Sequence, residues 1–235
     1  MKAQAGSIDF DHLRRCQGVA ADRPGAVKSL DSVAVITSWH RGQEIYSRGE
    51  AAEYWYRIRS GAARCYAVRP DTRRQIVDLL LAGDHFGFAT GDEHEFTVEA
   101  VAEGTSTARY PRWRLEALAD SDPRLARDIR CMAFQALLRT QTQLLIVGRI
   151  TALEKVSSFL IDIASRLPEE SKDCVVLPIS RYDIADYLAL SVETVSRSLT
   201  DLKQRGIIAM QGTRQVRIIN RDALDEVECR VSADW

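Results

Sequence analysis

Glu193, Ser196 and Arg197 stand three and one positions apart, so on an α-helix they share one face. Together they could read DNA bases. An arginine fork pairs with O6 and N7 of guanine, a glutamate accepts from N4 of cytosine, and a serine hydroxyl serves several bases. The glutamate is informative, because a carboxylate in a phosphate-lined groove is repelled unless it takes a base donor. The competing reading is a solvated face with an i,i+4 ion pair between Glu193 and Arg197.

The surrounding stretch, SVETVSRSLTDLKQRG, has helical spacing, with Val195, Leu199 and Leu202 on a separate apolar face. Ser191 is placed to cap this helix and Gly206 to end it. Upstream, Ser180 and Asp183 have the spacing of a capping box, which predicts a helix over Arg181–Leu188. Ala189 and Leu190 are left as a short turn. Downstream, IIAMQ and RQVRII flank Gly212 and Thr213, a hairpin signal. Helix, short turn, helix, hairpin is the order of a winged helix-turn-helix, whose second helix enters the major groove by its N-terminal residues. The candidate DNA contacts are Glu193, Ser196 and Arg197, joined by Ser191, Val192 and Thr194 at the start of the helix and by Arg181, Lys203 and Arg214. From Lys172 to Arg221 eight cations face five carboxylates, a net +3 in a chain whose total is −1. Backbone contact with DNA requires this local excess.

The whole chain has 235 residues, 46% apolar and 28% charged, enough for a real core and without a global basic field. No apolar run approaches the roughly 18 residues of a membrane span. The opening MKAQAGSIDFDHLRRC lacks the apolar segment of a signal peptide. Five cysteines, Cys16, Cys65, Cys131, Cys174 and Cys229, are odd in number and widely spaced. That fits a reducing cytoplasm rather than a disulfide framework. No nucleophile–base–acid set, metal motif or phosphate loop stands out, which argues against an enzyme.

Four regions follow from the pattern. Residues 1–28 form an N-terminal arm with one short helix at most. Residues 29–115 carry short alternating runs, YWYRIRSG, ARCYAV and RQIVDLLLAG, between glycines, which suggests a small β-sandwich or β-roll. Residues 116–150 are helical, with Asp122-Pro123 opening a helix of about 25 residues, a length that suits a coiled-coil partner. Residues 151–235 hold the winged module, entered through a helix and the polar break PEESKD. The fold class is therefore α+β.

The segment LALSVETVSRSLTDLKQRGII resembles the recognition segment of CRP/FNR-type bacterial transcription regulators, and LAGDHFGFATGDEHEFTVEAV resembles the FixK-like subgroup. The resemblance covers nearly the whole chain. It implies a cyclic-nucleotide-binding-like β-roll, a long dimerisation helix and a winged helix-turn-helix. It further implies a homodimer on double-stranded DNA, half-sites like TTGAT in a palindrome, and activation of RNA polymerase at genes for low-oxygen metabolism. Two departures bear on cofactors. Phe88 stands where such proteins carry a glutamate for the ribose, and Glu95-Phe96 replaces an arginine–serine or arginine–threonine pair, so a cyclic nucleotide is disfavoured. A [4Fe–4S] cluster needs about four thiolates, whereas the arm supplies only Cys16 and Ala108 occupies the place of the roll ligand. No cofactor is expected; the alternative is an effector- or redox-gated regulator of the same type with an unidentified ligand.

His85 and His94 flank a turn with Asp84, Asp92 and Glu93, and are expected to be solvated turn residues rather than metal ligands. Cys65 and Cys131 read as small buried thiols. Cys174, at the entry to the basic module, is either a structural cysteine or a redox-sensitive one favoured by nearby cations.

A palindromic target demands two recognition helices roughly 34–36 Å apart, which a dimer must set. The long helix offers two apolar lines: Ile129, Met132 and Ala136, and Ala133, Leu137 and Leu144. One line should pack on its own roll and the other on the partner. The sequence leaves the choice open, so a charge at either Met132 or Leu137 is expected to break the dimer.

Overall fold

The computed structural model describes residues 33–167 and 174–229. The N-terminal arm with Cys16, the polar break at 168–173 and the Cys229 side chain lie outside that description.

Eight strands come first: β1 (Val35–Trp39), β2 (Glu44–Tyr46), β3 (Tyr54–Ser60), β4 (Ala62–Val68), β5 (Arg74–Leu81), β6 (His85–Phe86), β7 (Thr97–Ala100) and β8 (Thr105–Pro111). They form two antiparallel four-stranded sheets, ordered β1-β8-β3-β6 and β2-β7-β4-β5. One residue, Gly61, connects β3 to β4. Its φ is +81°, and a Cβ there would lie 2.6 Å from the Thr105 hydroxyl, so only glycine fits.

Between the sheets lie Ile45, Tyr46, Tyr56, Ile58, Leu80, Phe86 and Val98, all buried. The rings are close: Tyr56 and Phe86 stack with centroids 5.2 Å apart, and Tyr46 stacks on His94 at 3.6 Å and 12°. His94 is only 4% exposed. The expectation that His85 and His94 are solvated turn residues is therefore wrong. The aromatic filling recruits His94, and His85 lies in β6, where the sheet and the long helix cover it.

The helical region follows. Helix α1 (Arg112–Ser121) precedes α2 (Pro123–Val147). Asp122 caps α2, its carboxylate accepting from the Arg124 amide at 2.8 Å, with Pro123 in the first turn. One stripe of α2 packs inward, where Leu125, Ile129 and Met132 meet Ala108 and Tyr110 of the roll and Leu115 of α1. Further along, Arg139, Thr142, Gln143 and Ile146 are buried. The opposite stripe is bare: Phe134 is 64% exposed, Leu137 52% and Leu144 72%, and Ala133 is exposed with them. This separates the two lines. Met132 packs, partly buried, against the chain's own core, so a charge there would strain the fold itself, contrary to the sequence expectation. Cys131, expected to be buried, is exposed. Cys65 behaves as expected of a core thiol, and burial pushes it well above the usual thiol range.

Helix α3 (Ala152–Arg166) opens with a complete capping box between Thr151 and Glu154. The remaining elements are β9 (Cys174–Val176), α4 (Arg181–Leu188), α5 (Val192–Gln204), β10 (Ile208–Gln211), β11 (Gln215–Ile218) and α6 (Arg221–Cys229). One hydrophobic cluster runs without a break from the roll (Tyr66, Ile76, Leu79) through Ile146 and Phe159 to Tyr187, Leu199 and Val216 in the winged region.

Burial, with the nearby Arg57 charge, lowers the His85 pKa from 6.5 to about 4. The unfolded chain thus binds a proton between pH 6.5 and about 4 that the folded chain refuses, so His85 costs stability as pH falls through that window. A His85→Gln variant should lose less melting temperature than the parent over the same range. Parallel thermal melts in steps from pH 6.5 down to about 4 check this, and equal slopes would exclude His85 as the source.

Candidate nucleic-acid interface

The second helix of the winged region is set by local chemistry. Ser191 caps α5, its hydroxyl accepting from the Thr194 amide at 3.1 Å. Val195, Leu199 and Leu202 face the core and are essentially buried. At the other end Arg205 caps the helix and Gly206 follows with φ +70°. The preceding α4 has the full capping box anticipated from Ser180 and Asp183. The turn between the helices holds Ala189 in the left-handed region, φ +53° and ψ +49°, a conformation that costs a non-glycine residue about 1–2 kcal/mol. Its small side chain keeps the turn short and the two helices close.

With the apolar face buried, the outward stripe of α5 is fixed. Glu193 and Arg197 are exposed and lie on it. Glu193 is held below the usual carboxylate range by its own backbone N–H and the Ser191 hydroxyl, with Arg197 adding to the effect. It is ionised at neutral pH and can only accept, as reading an amine donor requires. Ser196 is partly buried, and its hydroxyl accepts from Nη1 of Arg181 at 3.1 Å. Ser196 keeps its own proton to donate, and Arg181 is turned onto α5 as a tie between the two helices.

The other sequence candidates divide. Val192 packs partly against the core cluster. Thr194 shares a hydroxyl contact of 2.9 Å with Ser191. Lys203 is exposed in the last turn of α5. Arg214 lies in the hairpin turn, where its carbonyl accepts from the Leu177 amide at 2.8 Å. Two residues were missed. A shallow hollow on α5 is lined by Ser196, Arg197, Thr200, Asp201 and Gln204, so the outward stripe continues along Thr200 and Gln204, with Asp201 at its edge. Extending the i, i+3, i+7 spacing of the first three residues would have found them.

The wing is the hairpin β10–β11, with Gln211 opposite Gln215. It gains an unanticipated third strand, β9, which pairs antiparallel with β11 and sets Cys174 opposite Arg217. Three residues are too short a run for periodicity to reveal. Cys174 is half-buried in this sheet.

Residues 36–122 match the cyclic nucleotide-binding domain family and residues 154–227 the Crp-like helix-turn-helix domain family. The chain is 41% identical to the nitrogen fixation regulation protein FixK of Azorhizobium caulinodans, over 90% of this chain and 87% of that one. It is 36% identical to FixK of Rhizobium meliloti, over 95% of both. The structure of FixK2 from Bradyrhizobium japonicum superposes with a TM-score of 0.78 at 39% identity, covering 83% of this chain and 98% of that one. With the roll, the long helix and the helix-turn-helix all in place, the chain belongs to the CRP/FNR family of DNA-binding transcription regulators, among relatives of FixK type.

Proposed function

We propose that the protein works in the cytoplasm as a homodimeric regulator of FixK type. In this reading it binds TTGAT-N4-ATCAA-like palindromes and activates RNA polymerase at genes for low-oxygen metabolism, with neither a cyclic nucleotide nor an iron–sulfur cluster. The observation that carries the reading is the exposed Glu193–Arg197 stripe on α5, capped and backed so that it can only face outward. A glutamate that accepts from cytosine N4 and an arginine that forks onto guanine fit one G·C-containing half-site.

The bare stripe of α2 supports the dimer. Phe134, Leu137 and Leu144 fall at spacings of three and seven, a coiled-coil seam, and Ala133 beside them permits close approach. Exposed apolar lines of this kind on a 25-residue helix mark an interface. No helix among the described residues is long and apolar enough to cross a membrane.

The roll supports independence from cofactors. The Phe88 ring packs on Trp55 with centroids 5.2 Å apart, where a ribose-binding carboxylate would stand in a nucleotide binder. Glu95, where the resemblance leads one to expect an arginine, is an exposed negative charge. Ala108, in the place of a cluster ligand, is buried with no sulfur to offer.

Arg197→Ala should cost about 1–3 kcal/mol on the palindrome and erase discrimination at its guanine. Glu193→Ala should relax preference at one base pair while keeping non-specific affinity. Gel shifts on specific and random duplexes decide, and equal losses on both would remove base reading from this helix.

Leu137→Asp should yield a folded, mostly monomeric protein, because a charge in the seam would be buried unpaired at a cost of several kcal/mol. Sedimentation velocity reads the mass, and a tight dimer would move the seam elsewhere. Protein purified without oxygen should be colourless and iron-free, and cAMP should not shift its DNA affinity. A stoichiometric iron–sulfur or haem spectrum would overturn the reading of the roll.

A further inference from the structure

Arg64 lies in β4 of the roll, yet its guanidinium spans two parts of the fold. Nη2 donates to Oε1 of Glu99, its neighbour across the sheet, at 2.7 Å. Nη1 donates to Oδ1 of Asp183, on the first turn of α4. The three side chains are 12%, 12% and 7% exposed. Asp183 divides its carboxylate. Oδ2 takes the Ser180 amide at 2.9 Å and the Ser180 hydroxyl at 2.6 Å, completing the cap of α4, while Oδ1 faces the roll.

Two further polar ties among the described residues, from the roll and the long helix to α4, sit at the far end of this helix. Gln75 donates to the Asp186 carbonyl at 2.7 Å, and Gln143 reaches the Tyr187 carbonyl at 3.4 Å. They form a pivot, and Arg64 holds the free end. Beside that end a cleft of about 300 Å³ opens between the roll and α4, bordered by Arg41, Arg74, Glu99 and Tyr182, so the N-terminus of α4 has room to swing. Movement of α4 carries α5 with it, through the Arg181–Ser196 bond and the shared core of Ile184, Val195 and Leu199.

We propose that Arg64 is a positioning residue for DNA binding: its bridge to Asp183 fixes the angle at which the roll presents the recognition helix, and thereby the half-site spacing the dimer accepts. The spacing claim rests on the dimeric, palindrome-reading function proposed above. Changing a spacer by one base pair shifts a half-site by roughly 3.4 Å and turns it by roughly 35°, so a rigid presentation discriminates sharply and a loose one does not. Without Arg64, Asp183 would also face Glu99 as a like charge, which Arg74, 3.8 Å from Glu99, offsets only in part.

The test uses full-length protein and fluorescence anisotropy on four duplexes: one half-site, the palindrome with its four-base-pair spacer, and the same palindrome with the spacer one base pair shorter or longer. Wild type should prefer the four-base-pair spacer. Arg64→Ala should bind the single half-site within about twofold of wild type, yet lose about tenfold on the palindrome, because the second half-site no longer falls in register. Its preference among spacers should shrink by a similar factor. Arg64→Lys, which keeps the charge, should restore most of that preference. Should Arg64→Ala fold poorly by circular dichroism, Arg64→Met combined with Glu99→Gln removes the charges together and should show the same loss. A folded variant lacking Arg64 that keeps the wild-type spacer preference overturns the role of Arg64 alone. Wild type indifferent to the palindrome overturns the dimeric reading, and the spacing claim with it.

Discussion

Asp84 sits in the turn between β5 and β6, and guanidiniums reach it from two different helices. Arg166 of α3 donates to its Oδ2 at 2.6 Å and to the Leu79 carbonyl. Arg139 of α2 approaches its Oδ1 at 3.4 Å, bonds Asp78 at 3.1 Å, and donates to the His85 carbonyl at 2.9 Å. The Leu81 amide also donates to Oδ2 of Asp84, at 2.7 Å. Although burial works against ionisation, Arg166, Arg139 and that amide hold Asp84 below the usual carboxylate range. Charges this deeply buried are tolerable only when paired, and removing one partner costs about 3–5 kcal/mol. The roll, the long helix and the helix entering the winged region must therefore meet in one arrangement. The aromatic interior of the roll, the inward stripe of α2 and the docking of α4 all assume it.

That arrangement separates two jobs along the molecule. Local chemistry builds the reader: Ser180, Asp183 and Ser191 cap, Ala189 turns, and the apolar spacing of α5 forces Glu193 and Arg197 outward. In the positioning role proposed for Arg64, its charge pair with Asp183 then places the reader. The same carboxylate, Asp183, does both, with one oxygen in the cap of its own helix and the other toward the roll. One carboxylate thus ties the cap of its helix to the roll.

The division explains what the sequence disclosed. Caps, the 25-residue helix, the wing hairpin and the outward stripe are written in residues a few positions apart, and all of them were legible. The contacts of His94 with Tyr46 and of Arg139 with Asp78 span 48 and 61 positions, and no periodicity encodes them. Of the histidines read as wet turn residues, His94 is therefore buried and His85 half-buried, and Met132 was left level with Leu137 although only Leu137 faces out. Cys131 was misjudged for the same reason, since the exposed side of a helix with two apolar lines depends on which line meets the roll. Thr200 and Gln204 were missed differently, because their positions followed from spacing already in hand.

The unbroken hydrophobic cluster from Tyr66 in the roll to Val216 in the wing has a consequence for how such chains can diversify. A DNA reader joined to its roll by a solvated linker can be exchanged between relatives by recombination, since neither part notices the other. Here the underside of the reader is finished by Ile76, Leu79 and Ile146, which belong to the roll and the long helix. A reader taken from a relative would have to bring a matching underside, or the roll would have to change with it. In the proposed reading, point substitution along the outward stripe of α5 changes the target without touching this shared core, whereas trading whole modules disturbs it.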